Sequence, residues 1–575
     1  MLAKGVWSRC LRVCLCVCFL AGTLTPMAAA TGLTGARQYQ PVVVHGKAVS
    51  ALTGAPVDQL ALFVYASASQ DWQRVPLQID ERVLAPDPWD PGSQRLLYFA
   101  EDDGLLDADD ELVFMCKDLG DRAGPNVWLD VPETCTHPRV EIKVVDPLSG
   151  RAAWGYLYRA SVFRNGNPEP YHFSYDAGQD RVSTASYEVR LGRETGLVED
   201  MAVLPPWGSG VDFFDTQKIR MVGLLTVFSL SLPFGRDWNP QAANERDNLF
   251  IYQDSTRTTR RPVVRLVRRA LQAIKFGVYV FDDARFPVVT KFYPYSVTLA
   301  GGADLSNLGE SVDVELDLLR QSWDFNAAAT GMRWMNRYND GVVIDGEPDT
   351  VNRKVDLPIR EWFAATGDQG TLFTYVSFAD TLGQRQVLYY LDNKNGGQAD
   401  GTQVDGGDTG EDSVSYGDIG ILATGKSERP NLRLDFQAYF LPGNIDRTEV
   451  EDLVQAVAHP LTVETHAQTY GQTRVAEPAP NLLAAFSLQP AYPNPFNAAT
   501  QIRFSLPREA RLRATIVDQL GRTRRVLVDA KLSRGIHRLT WDGRDDAGRD
   551  LPSGTYLLRV WADGQVISRK LTLLR

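Results

Sequence analysis

Histidine and cysteine are scarce in this 575-residue chain, six of each, and four of the cysteines (Cys10, Cys14, Cys16 and Cys18) fall within the first thirty residues. What remains, Cys116 and Cys135 with His137 beside them, is too few ligands for a zinc site, which takes three or four protein donors. His45, His172, His459, His466 and His537 are scattered, with no spacing that sets two on one helix face. Local markers of several enzyme classes are missing as well. There is no Gly-x-Ser-x-Gly, His-Glu-x-x-His or Cys-x-x-Cys, so the common serine hydrolase, zinc protease and thiol-redox templates have nothing to rest on. After residue 24 no apolar run reaches the ~20 residues that span a bilayer. Positive charge is short in the middle of the chain: the total is −11, the tail from Ser487 holds sixteen Lys/Arg against eight Asp/Glu, and the segment between residue 30 and that tail carries −22. Such an acidic body lacks the basic footprint of a nucleic-acid binder.

The first thirty residues have the layout of a secretory signal peptide. Lys4, Arg9 and Arg12 form the positive end, Val13 to Leu24 are mostly apolar, and Met27-Ala28-Ala29-Ala30 offers small residues for cleavage. Export across the inner membrane follows. In an exported chain the remaining pair, Cys116 and Cys135, predicts one disulfide, which would add about 3 kcal/mol by closing its loop.

The rest reads as mainly β, a multidomain β-sandwich body followed by a C-terminal Ig-like β-sandwich. Val42–Val44, Leu60–Tyr65, Leu112–Met115 and Val140–Val145 are short apolar runs between Gly, Pro and Asp clusters, and 47 glycines with 32 prolines are too evenly spread for a helical bundle. The expected domains are an N-terminal β domain over 31–165, a central β-sandwich over 166–467, a linker over 468–487 and a C-terminal domain over 488–575. One helix is expected near 447–458. Val450, Leu453, Val454 and Val457 fall at helical spacing, Asp446 and Glu449 suit a capping box, and Pro460 stops the run. Between Pro262 and Ile274 helix and strand both fit.

Candidate sites in the body are diffuse. The acidic run Glu101, Asp102, Asp103, Asp107, Asp109, Asp110 and Glu111 has the hard oxygen donors calcium takes, without EF-hand spacing; a solvated acidic turn is the alternative. A second acidic, glycine-rich stretch runs from Asp392 to Asp412. Arg257, Arg260, Arg261, Arg265, Arg268 and Arg269 suit an anionic polysaccharide, arginine being a planar fork that matches carboxylate and sulfate, or else form the solvated face of a helix. Trp334 and Tyr338, near Trp323 and Trp362, would stack on sugars if exposed and fill the core if not. No catalytic residue stands out.

The tail is more specific. Tyr492-Pro493-Asn494-Pro495-Phe496-Asn497 is followed by Ile502, Phe504 and Leu506 in strand alternation, by a turn at Asp518 to Gly521, by Trp541-Asp542-Gly543 and by Gly554-Thr555-Tyr556. These residues resemble the type A C-terminal sorting domain of the type IX (Por) secretion system, and their middle resembles the FlgD-like Ig-like domain. The resemblance covers residues 485 to 575. It implies an address read by an outer-membrane secretion translocon, with cargo released or anchored at the cell surface. The end of the chain, Lys570 to Arg575, lacks the several lysines often seen in that family.

A fainter resemblance links Val75-Pro76-Leu77-Gln78-Ile79-Asp80-Glu81, with Asp102 to Phe114, to β-modules at the N-terminus of secreted sugar-acting bacterial proteins. The sequence therefore leaves two functions open: a non-catalytic surface or secreted protein that binds or builds, with glycan as one ligand, or a polysaccharide lyase or glycoside hydrolase, whose paired carboxylates an acidic β-protein can supply.

Overall fold

The computed structural model describes residues 32–86, 94–98, 103–165, 168–193, 195–227, 230–234, 251–259, 262–276, 279–304, 312–356, 360–378, 385–395, 414–428, 431–471, 487–488, 491, 494, 496–497, 499–506, 508–518, 521–533, 535–562 and 565–574. The signal segment, Glu101, Asp102, Arg260, Arg261, Tyr492, Pro493 and Pro495 lie outside them, as does most of the 468–487 linker. The chain divides into two compact units, Met1–Gln472 and Thr473–Arg575. Both are built of antiparallel sheets, as the alternating runs and frequent turn residues require.

In the first unit a five-stranded sheet runs in the order Thr462–Gln468, Arg139–Val145, Ala152–Arg159, Leu60–Ala66, Asp71–Val75. A three-stranded sheet is made of Pro41–His45, Glu111–Met115 and Gln78–Asp80. Val42, Val44, Leu62, Leu112, Phe114, Val140 and Ile142 form one apolar cluster drawn from both sheets. The first sheet does not close at residue 165 as expected: its edge strand Thr462–Gln468 comes from the far end of the body, Thr462 pairing with Val145 and Gln468 with Arg139.

The larger core lies between a five-stranded sheet centred on Val312–Phe325 and a nine-stranded sheet in which Asn431–Leu441 is flanked by Ser296–Asp304 and Gly370–Phe378. Trp323 packs against Phe363 and Phe436 there, with ring centroids 5.5 and 5.9 Å apart. Trp334 is fully buried in the same core, its ring 4.9 Å from that of Tyr390, and Trp362 is buried too; of the two fates open to these rings, sugar stacking or core, they take the core.

The helix forms at Arg447–Ala458 with the capping box in place. The Asp446 carboxylate accepts from the Glu449 amide, and the Glu449 carboxylate accepts from the Asp446 amide. Val450 and Leu453 seat it on Trp362, Phe373 and Tyr439. The ambiguous segment after Pro262 is instead a strand, Leu266–Phe276, because it pairs on both sides, with Ile251–Thr258 and with Tyr279–Phe292.

The expected disulfide is absent. Cys116 and Cys135 are free cysteines, and Cys116 is wholly buried beneath the N-terminal sheets, where burial pushes its thiol up to about 12. Among the described residues no helix is long and apolar enough to cross a membrane.

Candidate functional site

Two regions gather polar chemistry: a charged interior in the body and a clasp in the C-terminal unit. The first grows from the Gln78-Ile79-Asp80 strand. The Gln78 Oε1 accepts the backbone amides of Val263, Val264 and Arg265 at 2.9, 2.9 and 3.0 Å, which pins the start of the strand that follows. This delivers the Arg265 guanidinium, 0% exposed, to Asp80 at 2.6 Å and to Glu111 at 2.5 Å. Arg82 lies 3.0 Å from Glu111, Lys291 3.8 Å, and the Tyr98 hydroxyl donates to Glu111 at 2.7 Å. Burial alone would raise the Glu111 pKa, but Arg265, Lys291 and Arg82 override it and hold the carboxyl at about 2. Burial lowers Lys291 to about 8.

From the sequence, Arg265 and Arg268 belong to a ligand surface or a solvated helix face, and Glu111 to a cation loop or a solvated turn. Both arginines are interior. Arg268 is 1% exposed and clamps Asp180 through Nε at 2.9 Å and Nη2 at 2.5 Å. Arg269 is half-buried on the same strand, and Arg257 lies on its neighbour, where its side chain is outside the described residues. The arginine run is thus split between interior and strand faces; it is not one helix face, because successive strand residues point to opposite sides.

The acidic loop organises its own backbone. Asp103 accepts from the Leu105 amide, Asp107 from the Asp109 amide, and buried Asp110 from the amides of Asp107 and Arg82, all at 2.8 to 3.2 Å. Among the described residues no three His, Cys, Asp or Glu side chains are grouped to hold a metal ion. Tyr338 is half-buried, with the Lys354 ammonium 4.9 Å from its ring, and is not grouped with the buried Trp334.

Two more acids are buried: Asp324, which the sequence did not single out, and Asp392, which opens the second acidic stretch. Asp324 meets Lys218 at 2.9 Å and accepts from Ser415 at 2.8 Å, all three buried on the five-stranded sheet; burial raises its pKa to about 7. Asp392 accepts the amides of Asp345 and Gly346 at 3.0 and 2.9 Å, and burial raises it to about 7. The signal was there in Asp324, a lone acid inside the strand pattern Gln-Ser-Trp-Asp-Phe.

In the C-terminal unit, Thr500–Leu506 and Gly535–Trp541 share one sheet, and Thr523–Leu532, Ala510–Val517, Gly554–Ala562 and Gln565–Leu573 form the other. The turn at Asp518 uses Gly521 at φ +77°, as its position predicts. The motif residues close on the last strand. The Asn494 side chain donates to the Lys570 carbonyl at 2.9 Å and accepts the Thr572 amide at 2.7 Å; the Phe496 amide donates to the Thr572 carbonyl, and its carbonyl accepts from Leu574. Phe496 then inserts beside Trp541, centroids 5.2 Å apart, and Trp541 meets the edge of Tyr556 at 5.3 Å. The Tyr556 hydroxyl donates to the Pro552 carbonyl. Asn494, Phe496, Trp541 and Tyr556 therefore make one unit out of stretches more than sixty residues apart.

Residues 494–565 match the FlgD Ig-like domain. Among curated proteins, the basal-body rod modification proteins FlgD of Salmonella typhimurium and Salmonella typhi are each 41% identical over 49 residues, 8% of this chain and 21% of theirs. The chain thus spans about a fifth of the length of these relatives. Among solved structures, an alpha-mannosidase from Enterococcus faecalis is similar at 9% identity with a TM-score of 0.37, over 89% of this chain and 55% of that one. Dimeric latent PorU from Porphyromonas gingivalis follows at 10% identity and a TM-score of 0.15, over 76% of this chain and 34% of that one. At those scores neither likeness informs the reading of the body.

Proposed function

We propose that the chain is an exported protein whose FlgD-like C-terminal domain is a sorting module read by a secretion translocon, and whose body binds or builds at the cell surface or outside the cell without catalysing a reaction. The observation that carries the first half is the clasp. Asn494 and Phe496, from the motif that opens the domain, are hydrogen-bonded to Lys570, Thr572 and Leu574 at its end, so the residues that resemble a sorting domain belong to one folded feature. The second half is supported by where the perturbed acids sit. Glu111, Asp324 and Asp392 are each committed to an internal cation or to backbone amides, an arrangement that fixes strands to one another.

The test is deletion of residues 488 to 575. The truncated body should fold, because the two units are separately compact, and should accumulate in the periplasm of a host with the translocon while the intact chain reaches the surface or medium. A reporter fused to Leu482 through Arg575 should be carried out. Equal export of truncated and intact chains would leave the tail as an Ig-like module without a sorting role.

A further inference from the structure

The strand Gly554–Ala562 turns Tyr556, Leu558, Val560 and Ala562 inward and buries them, which by the two-residue period sends Leu557, Arg559 and Trp561 outward. Its neighbours complete a grid. Trp561 stands between Arg513 and Val566, Arg559 between Thr515 and Ser568, and Leu557 between Val517 and Lys570. Val517 is buried at 5% exposure, but the other apolar members are open to solvent: Leu557 is 38% exposed, Trp561 44% and Val566 52%. The cations are open too. Arg511 and Arg513 approach the Asp529 carboxylate at 3.3 and 3.8 Å yet keep 73% and 57% of their side chains exposed, and Arg559 and Lys570 are exposed.

The outward face of a sheet with one solvated side is normally polar. A tryptophan and two aliphatic side chains enclosed by arginine and lysine are instead the composition of a protein-binding hot spot, apolar at its centre and charged at its rim. Leu557 and Val566 give a sugar ring nothing to stack on, and the four cations call for carboxylates opposite. We infer that this sheet face is a docking surface for an acidic patch on a partner protein, with Trp561 as its anchor and Arg513, Arg559 and Lys570 setting the orientation. The inference rests on the sorting reading and names the side of the domain that the export machinery grips.

The experiment compares the full-length chain with Trp561→Ser, Arg559→Glu and Arg513→Glu in a host with the translocon, alongside Arg559→Lys, Arg544→Glu on an exposed loop, and the 488–575 deletion. Each of the three face variants should lower the exported fraction at least tenfold, while Arg559→Lys and Arg544→Glu export normally and the melting curve of the purified chain is unchanged. Normal export of the face variants, with export still blocked by the deletion, overturns the docking face and leaves the sorting reading standing. Normal export of the deletion removes the sorting reading and the docking face together. If export is normal but Arg559→Glu abolishes binding to an anionic polysaccharide, or Trp561→Ser abolishes self-association, the face has a different occupant and the inference is wrong.

Discussion

The guanidinium of Arg265 reaches the carboxylate of Glu111 at 2.5 Å across 154 residues of sequence, and neither is open to solvent. This pair ties the three-stranded sheet to the start of the Leu266–Phe276 strand, together with the Gln78 clamp on the preceding amides.

Glu111→Gln should therefore destabilise the body by about 3 kcal/mol, the scale of breaking a buried pair and leaving its cations uncompensated. Urea unfolding of the full chain measures it. The sign with pH is fixed by the direction of the shift: Glu111 is held at about 2, below its usual 4.5, so its stabilisation is complete above 4.5 and fades as the pH falls toward 2. The variant should lose that acid-range slope; a Gln variant with the wild-type acid profile would show that the pair contributes nothing.

Asp392 should act in the opposite sense. Its pKa is raised from 3.8 to about 7, chiefly by burial, so the folded state is favoured while it is protonated and loses that advantage as the pH climbs through 7. The unfolding midpoint should decline between pH 4 and 8, and Asp392→Asn should flatten part of the decline. An equally steep decline in the variant would refute the assignment.

The two thiols give a chemical check. In the folded chain Cys116 should resist iodoacetamide at pH 8, since it is 0% exposed and its thiol is pushed up to about 12, whereas half-exposed Cys135 should react. Both should alkylate in denaturant without reductant. Peptide mass analysis that finds Cys116 joined to Cys135 would reverse this.

The clasp predicts a graded series in the C-terminal unit. Phe496→Ala removes a ring that is 2% exposed and should cost roughly 3–5 kcal/mol. Asn494→Ala removes two hydrogen bonds at the surface and should cost about 1 kcal/mol. Calorimetry of the full chain should show the tail's transition moving down while that of the body stays, and a shifted body transition would contradict the division into two units.

What the sequence made legible was local. The helix was readable because Asp446, Glu449 and the Val450–Val457 stripe sit within a dozen residues, and the turn at Gly521 because a single residue decides it. The tail's alternation placed Ile502, Phe504 and Leu506 correctly in its core. The arginine run was misread for the converse reason. Whether Arg268 faces water depends on Asp180, 88 residues earlier, and whether Arg265 does depends on Asp80 and Glu111, farther still. Periodicity carries no trace of such partners. The pairing of Cys116 failed similarly, and the choice between surface and core for Trp334 stayed open: exposure and pairing are set by which strands meet, and strand order was beyond reach of the pattern.

The strand Thr462–Gln468 has a consequence in time. A chain made or threaded from its N-terminus presents Arg139–Val145 early, but the neighbour of that strand arrives more than three hundred residues later. Until it does, a row of unpaired amides and carbonyls along Arg139–Val145 stays open to other chains. The body is thus locked last by its own final segment, and a fragment ending before residue 462 should be the aggregation-prone form of this protein, however much of its core it retains.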